Sequence, residues 1–241
     1  MNKLLFAFCL AAGSAFAVDL HLAGDSTLAP RKPEANIASW GDALRPFLKE
    51  GNAIRNYAVS GTSTVTFRPI WDKSLIGKVK EGDFVIIQFG HNDPWHTEKK
   101  YMKPGGLDRF CTPEQYHDNL TKFIDEVKAK KAIPVLMTPT PTWHFDKKTG
   151  EWTGVRKNHQ PYFAQVPVVA KETGVCFVDM TDFGNKALMK EGAEKCKAYF
   201  GMYFDGGKDD VHPSKAGAKL LADLFLKHIR ERKLPVAELF R

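Results

Sequence analysis

The sequence predicts an α/β fold, a three-layer α/β/α sandwich whose central parallel sheet has about five strands. Three observations carry that expectation. Five short runs are apolar almost without interruption and are bounded by Gly, Asn, Asp or Pro, which is how strands buried on both faces read. Amphipathic stretches separate them. Strands that alternate with helices assemble into an open sheet covered on both sides.

In chain order the strands are expected at 19–23, 54–59, 84–89, 133–137 and 175–180. A weaker helix is expected at 39–50. Thr112-Pro113-Glu114-Gln115 then combines a cap residue, a first-turn Pro and a capping-box Gln. Tyr116, Leu120, Phe123, Ile124 and Val127 follow at helical spacing. Further helices are expected at 160–172 and 182–197. Ser214 can cap a last helix with the stripe Leu220, Leu221, Leu224, Phe225 and Ile229. Segments 94–111 and 138–158 are long and rich in Gly, Pro, Trp and Lys. Long loops after strands are where such folds place binding surfaces.

With 241 residues, 43% hydrophobic and 26% charged, the chain is neither disordered nor collagen-like and can bury a sizeable core. Aromatic residues are plentiful, 17 Phe and 5 Trp, and core packing is their default use, with stacking on sugar rings as the alternative. Residues 1–17 read as a signal peptide. Asn2-Lys3 gives a positive start, Leu4 to Ala12 is apolar but too short for an anchor, and Ala15-Phe16-Ala17 is a small-x-small cleavage pattern. Bulky Phe8 before Cys9 argues against lipoprotein processing. A secreted or periplasmic protein without a membrane anchor is expected, starting near Val18, and a monomer.

The formal charge is +7, and only Lys3 of it falls in the leader. A basic exported protein can meet a polyuronide or an anionic surface, although charge alone favours a solvated Lys-rich surface. No nucleic-acid motif is present. Of 4 cysteines, Cys111, Cys176 and Cys196 lie beyond the leader, so at least one thiol is free. Cys176 sits in an apolar run and is expected to be buried; Cys111 and Cys196 could pair.

Four segments carry chemistry. The first strand ends in Leu22-Ala23-Gly24-Asp25-Ser26-Thr27, placing a serine where α/β sheets bind ligands. Gly24 permits a sharp turn and Asp25 can brace it; the plain alternative is a helix cap. The second strand ends near Ser60-Gly61-Thr62, where the Gly61 N–H is free of any side chain and can donate to an oxyanion, or is simply a turn. The third ends in Gly90-His91-Asn92-Asp93, and Asn92 offers a neutral donor. His91, Asp93 and His96 match no zinc spacing. Near the C-terminus, Asp209-Asp210-Val211-His212-Pro213-Ser214 spaces a carboxylate three residues before an imidazole, so that Asp209 can fold onto Nδ1 and leave Nε2 to take a proton. Asp210 is the competing carboxylate.

In order, these segments resemble the conserved blocks of the GDSL or SGNH hydrolase superfamily, over essentially the whole chain beyond the leader. Gly24-Asp25-Ser26-Thr27, Trp40-Gly41, Phe89-Gly90-His91-Asn92-Asp93 and Asp209-x-x-His212-Pro213 are more closely similar to the rhamnogalacturonan acetylesterase family, carbohydrate esterase family twelve. Thr27 departs from the Leu of the superfamily's name, which favours this branch over a lipase. The resemblance implies one SGNH hydrolase domain over 18–241 with a flavodoxin-like sheet. It implies Ser26 as nucleophile, His212 as general base and acid, and Asp209 as its orienting carboxylate. The oxyanion hole would be the Ser26 N–H, the Gly61 N–H and the Asn92 amide, and no metal or organic cofactor would be required. The substrate implied is acetylated plant cell-wall polysaccharide, chiefly the galacturonate of rhamnogalacturonan. Arg31, Lys32, His91, Lys99, Lys100, Lys103 and Arg109 could then meet an anionic chain, and Trp95, Trp143 and Trp152 could stack on sugars.

Three rivals remain at this level. An esterase for acetyl-xylan or another small acyl ester keeps the chemistry and changes the substrate. A carbohydrate-binding module would do without Ser26. A two-carboxylate glycosidase or a lyase would need Asp205, Asp209 or Asp210 paired across a cleft.

Overall fold

The computed structural model describes residues 17–99, 106–146 and 148–241; the expected leader, bar its last residue, and Lys100 and Lys103 lie outside the described residues. Five parallel strands, β1 (Asp19–Gly24), β2 (Ala53–Asn56), β3 (Phe84–Gln88), β4 (Ile133–Met137) and β5 (Cys176–Val178), form one sheet in the order β2-β1-β3-β4-β5. This is the flavodoxin-like order, in which β1 and β3 flank the point where the winding reverses. Leu22 sits opposite Asn56 on one side and Ile86 on the other, so β1 is central and its end emerges in the middle of the sheet edge.

The helices are α1 (Arg68–Ile70), a single turn continued by the wider turn Trp71–Leu75, α2 (Pro113–Ala129), α3 (Gln160–Thr173), α4 (Met180–Glu191), α5 (Ala193–Cys196) and α6 (Lys215–Glu231). Apart from α5, which joins a small separate cluster, they divide between two cores. Leu20, Leu22, Ile86, Val135 and Met137 face Leu221, Phe225 and Ile229 of α6. Ala23, Val85, Ile87 and Leu136 face Leu120, Phe123 and Val127 of α2 together with Val166 and Val169 of α3. The period of two along each strand thus feeds both layers, and the three-layer sandwich follows.

The α2 cap forms as the sequence implies. Thr112 accepts from the Gln115 N–H while the Gln115 side chain accepts from the Thr112 N–H. Ser214 caps α6 through the Gly217 N–H at 3.1 Å. Four expected elements differ. The strand expected at 54–59 ends at Asn56, whose side chain accepts from the Ala58 N–H. Segment 39–50 holds only a tight turn, Asp42–Phe47, with Pro46 inside it. The strand expected at 175–180 stops at Val178, since the Asp179 side chain accepts from the Asp182 N–H and starts α4. The helix expected at 182–197 is cut at Gly192, whose backbone (φ +84°, ψ +147°) separates α4 from α5.

Cys111, Cys176 and Cys196 are all free. Cys111 lies in the core under α2 and α3, whereas Cys196 packs with Leu188 and Phe200 in a separate small cluster, so they cannot pair. Cys176, expected to be buried, is half-buried on the outer strand β5.

Candidate active site

The turn after β1 presents Ser26. Leu28 N–H and Ala29 N–H both donate to the Asp25 carbonyl, closing one helical turn around the serine. A Cβ on Gly24 would stand 2.8 Å from the Gln88 carbonyl of β3, so only glycine lets β1 run this close to its neighbour and then turn. Beneath the turn Asp25 is fully buried and its carboxylate is saturated. Oδ1 accepts from the Thr27 N–H and hydroxyl, both at 2.9 Å, and Oδ2 accepts from His91 Nδ1 at 3.1 Å. Burial would raise its pKa, but the neighbouring His91 and the Thr27 donors outweigh that and hold it below the ordinary carboxylate range. The bracing role expected of Asp25 is thus formed, and Gln88 Nε2 extends the network by donating to the Thr27 hydroxyl at 2.7 Å.

The other half of the site is the loop before α6. His212 Nδ1 lies 2.9 Å from both oxygens of Asp209. Asp209 also accepts from the His212 and Val211 backbone N–H groups. Burial would raise this pKa too, yet the His212 contacts lower it. Asp210 turns the other way and accepts from Arg156 at 2.5 Å. The competition between the two carboxylates is therefore resolved by their partners: Asp209 holds the imidazole and Asp210 holds an arginine.

Segment 31–38 joins the halves. At one end Arg31 Nη2 donates to the Ser26 carbonyl at 2.7 Å. At the other, Ile37 bridges Ser214 and the Ala38 N–H donates to the Pro213 carbonyl at 2.9 Å. Among the described residues, His212 Nε2 and Ser26 Oγ make no hydrogen bond, either to each other or to a third group.

The donors expected of an oxyanion hole are equally unengaged. Neither the Ser26 N–H nor the Gly61 N–H has a partner among the described residues. Gly61 is exposed with φ +80°, and nothing stands within 4 Å of where a Cβ would be. Asn92 spends one amide hydrogen on the Thr62 carbonyl at 3.0 Å, which leaves the second. Asp93 fixes the same loop from below, its Oδ1 accepting from the Thr64 N–H at 2.8 Å and hydroxyl at 2.6 Å. Burial pushes the Asp93 carboxyl up to about 6. Beside Gly61 opens a cleft of about 640 Å³ lined by Thr62, Thr66, Thr97, Leu107 and Arg109.

The expected substrate contacts separate. His91 is buried, and its ring nitrogens face Asp25 and the Thr140 carbonyl at 3.0 Å, so it braces the turn instead of facing solvent. Trp143 is packed edge-on against Phe145, Trp152 and Phe200. Trp95 is 41% exposed, leaning on His159, and remains available to a sugar. Lys32 and Lys99 are exposed, and the Arg109 guanidinium donates to the His96 carbonyl. Gly201, which the sequence did not single out, touches the site directly: a Cβ there would lie 2.5 Å from Asp209 Oδ2.

Comparison with known proteins identifies the family. The model of the GDSL-like lipase/acylhydrolase family matches residues 22–220, so the chain belongs to that family. It is 31% identical over 231 residues to rhamnogalacturonan acetylesterase RhgT of Bacillus subtilis, covering 92% of this chain and 93% of that protein. It is 28% identical over 179 residues to an acetylxylan esterase of Geobacillus stearothermophilus, covering 74% and 73%. The solved structure of protein YXIM from Bacillus subtilis superposes with a TM-score of 0.74 at 24% identity, over 91% of this chain and 58% of that one. The chain is a carboxylic ester hydrolase.

Proposed function

We propose that the protein is a serine esterase that removes O-acetyl groups from plant cell-wall polysaccharide, rhamnogalacturonan or pectin first. The observation that carries the reading is His212, held at Nδ1 by both Asp209 oxygens, with Nε2 free on the segment strapped to the nucleophile turn. Ser26 Oγ attacks the acetyl carbonyl and its proton passes to Nε2. The carbonyl oxygen becomes an oxyanion that accepts from the Ser26 and Gly61 N–H groups and the second Asn92 amide hydrogen; one such donor is worth roughly 100- to 1,000-fold in turnover. Collapse breaks the ester bond, and the departing sugar oxygen takes the proton from His212. Water then attacks acetyl-Ser26 while Nε2 takes its proton, and acetate leaves with the serine restored.

The similarity to a rhamnogalacturonan acetylesterase over nine-tenths of both chains supports the acetyl-polysaccharide substrate. The cleft beside Gly61 carries Arg109, and Lys99 and Lys32 add exposed positive charge, which suits a galacturonate-bearing chain. The second reading, acetyl-xylan, is supported by the shorter match to an acetylxylan esterase. We place the enzyme outside the cytoplasm on the leader pattern of residues 1–17, in keeping with such a substrate.

The test is acetate release from acetylated rhamnogalacturonan, pectin and xylan by wild type and Ser26→Ala. Wild type should favour the first two, and the variant should lose about four to six orders of magnitude on all of them. A variant that keeps its rate removes the serine mechanism, and a preference for xylan moves the substrate to the second reading.

A further inference from the structure

We propose that Arg31 is a positioning residue of the hydrolytic centre, tying the nucleophile turn to the loop of the base, and not a contact for the substrate. The inference rests on the roles proposed for Ser26, Asp209 and His212. Its starting point is a problem of chain topology. The nucleophile and the base lie 186 residues apart in sequence (26 to 212), on two turns with no direct hydrogen bond between Ser26 and His212. Their relative position must be set by something that touches both.

Segment 31–38 does so. Arg31 Nη2 grips the Ser26 carbonyl itself at 2.7 Å, five residues back. Lys215 Nζ donates to the Pro33 carbonyl at 2.7 Å, and Ile37 and Ala38 pair with Ser214 and Pro213, the two residues after His212. Arg31 is therefore the near anchor of a strap whose far end carries the base. Its side chain is half-buried, and the fork of donors holds a fixed direction that an ammonium would not.

Electrostatics gives the same residue a second consequence. Burial lowers the Arg31 pKa, and the carboxylates of Asp209 and Asp25 oppose that effect, so its charge is felt by the acid that orients His212. Of the two neighbouring carboxylates, Asp209 holds the imidazole and Asp210 is paired with Arg156. Arg31 therefore places positive charge near Asp209 without a hydrogen bond to it.

The experiment compares Arg31→Ala, Arg31→Gln and Arg31→Lys with wild type on a small neutral aryl acetate and on acetylated pectin, with melting temperatures. Positioning predicts a kcat lower by about 10- to 100-fold on both substrates for Ala and Gln, with KM within about twofold. Lys, which keeps the charge but not the planar fork, should restore only part of the rate. An unchanged rate on the aryl acetate with a raised KM on pectin alone would make Arg31 a substrate contact and overturn the proposal. So would a loss of rate that merely tracks a loss of melting temperature. Inactive Ser26→Ala beside fully active Arg31 variants would leave the esterase mechanism standing and remove this inference only; an active Ser26→Ala would remove the mechanism first.

Discussion

Gly201 shows how a residue with no chemistry of its own can govern the carboxylate proposed to orient the base. Its N–H donates to the His212 carbonyl at 2.8 Å, and the next N–H, of Met202, donates to the Asp209 carbonyl at 2.7 Å, so 201–202 runs flush along the acid–base loop. A Cβ at 201 would meet Asp209 Oδ2 at 2.5 Å and Ile37 Cγ2 at 2.8 Å. The carboxylate and the strap cannot both stay in place. Gly201→Ala is expected to lower kcat by about 10- to 1,000-fold through a displaced Asp209, with KM little changed, as measured on a neutral aryl acetate. Wild-type kcat in a folded variant would show that Asp209 tolerates displacement. Ser26, Asn92 and His212 could be proposed from the sequence because each sits inside a contiguous block at a strand end or before the last helix. Gly201 could not, since its constraint is a through-space approach between segments eight residues apart and leaves no periodic trace. His91 was misread for a related reason. A histidine beside Asn92 suggests substrate contact, but the fold turns it inward onto Asp25 and Thr140.

At the scale of elements, the strands and the two long helices were legible because burial on both faces and a 3.6-residue stripe are written locally. What failed were boundaries set by side chains acting on backbone, such as the Asp179 cap that ends β5, and the segment 39–50, whose apolar spacing is interrupted at Pro46. The link between the loop after β2 and the end of β3 was also invisible, because it is made by two side chains, the Asn92 amide on the Thr62 carbonyl and the buried Asp93 carboxylate on Thr64. Asp93 Oδ1 takes both Thr64 donors and a weak contact from Cys111, whereas Oδ2 is buried with no partner, an arrangement that suits a proton on Oδ2. Its pKa rises from 3.8 to about 6 in the fold, mainly through burial. A raised carboxyl binds its proton more tightly when folded. Its contribution is complete below about pH 4 and is lost as pH climbs through about 6. Asp93→Asn keeps an acceptor for Thr64 and cannot ionise. Relative to wild type, its unfolding free energy is expected to improve by up to roughly 3 kcal/mol between pH 4 and pH 7 in urea titrations. A difference that stays flat over that range would mean that Asp93 ionises as readily in the fold as in the unfolded chain.

For the whole molecule, the formal charge of +7 acquires meaning from where it is spent. Arg45, Arg55, Arg68 and Arg156 are paired with carboxylates, and Arg31 is turned in toward the serine. Lys32 and Lys99 stand in solvent, and Arg109 lines the cleft beside Gly61, where among the described residues its guanidinium has no carboxylate partner. These are the charges that a polyanionic substrate would feel, and they act through water. Such interactions reach about 10 Å at 0.1 M salt and about 3 Å at 1 M. Steering by exposed charge changes the rate of encounter more than the chemical step, so the effect belongs in kcat/KM and not in kcat. Between about 20 mM and 500 mM salt, kcat/KM on acetylated galacturonate polymers is therefore expected to fall by roughly tenfold. On acetyl-xylan, whose backbone is neutral, it should stay within about twofold. Arg109→Gln should flatten the first curve toward the second without altering the rate on a neutral aryl acetate. Equal salt dependence on both polymers would strip the cleft of its electrostatic role, and the choice between galacturonate and xylose chains would then have to rest on shape and stacking at Trp95.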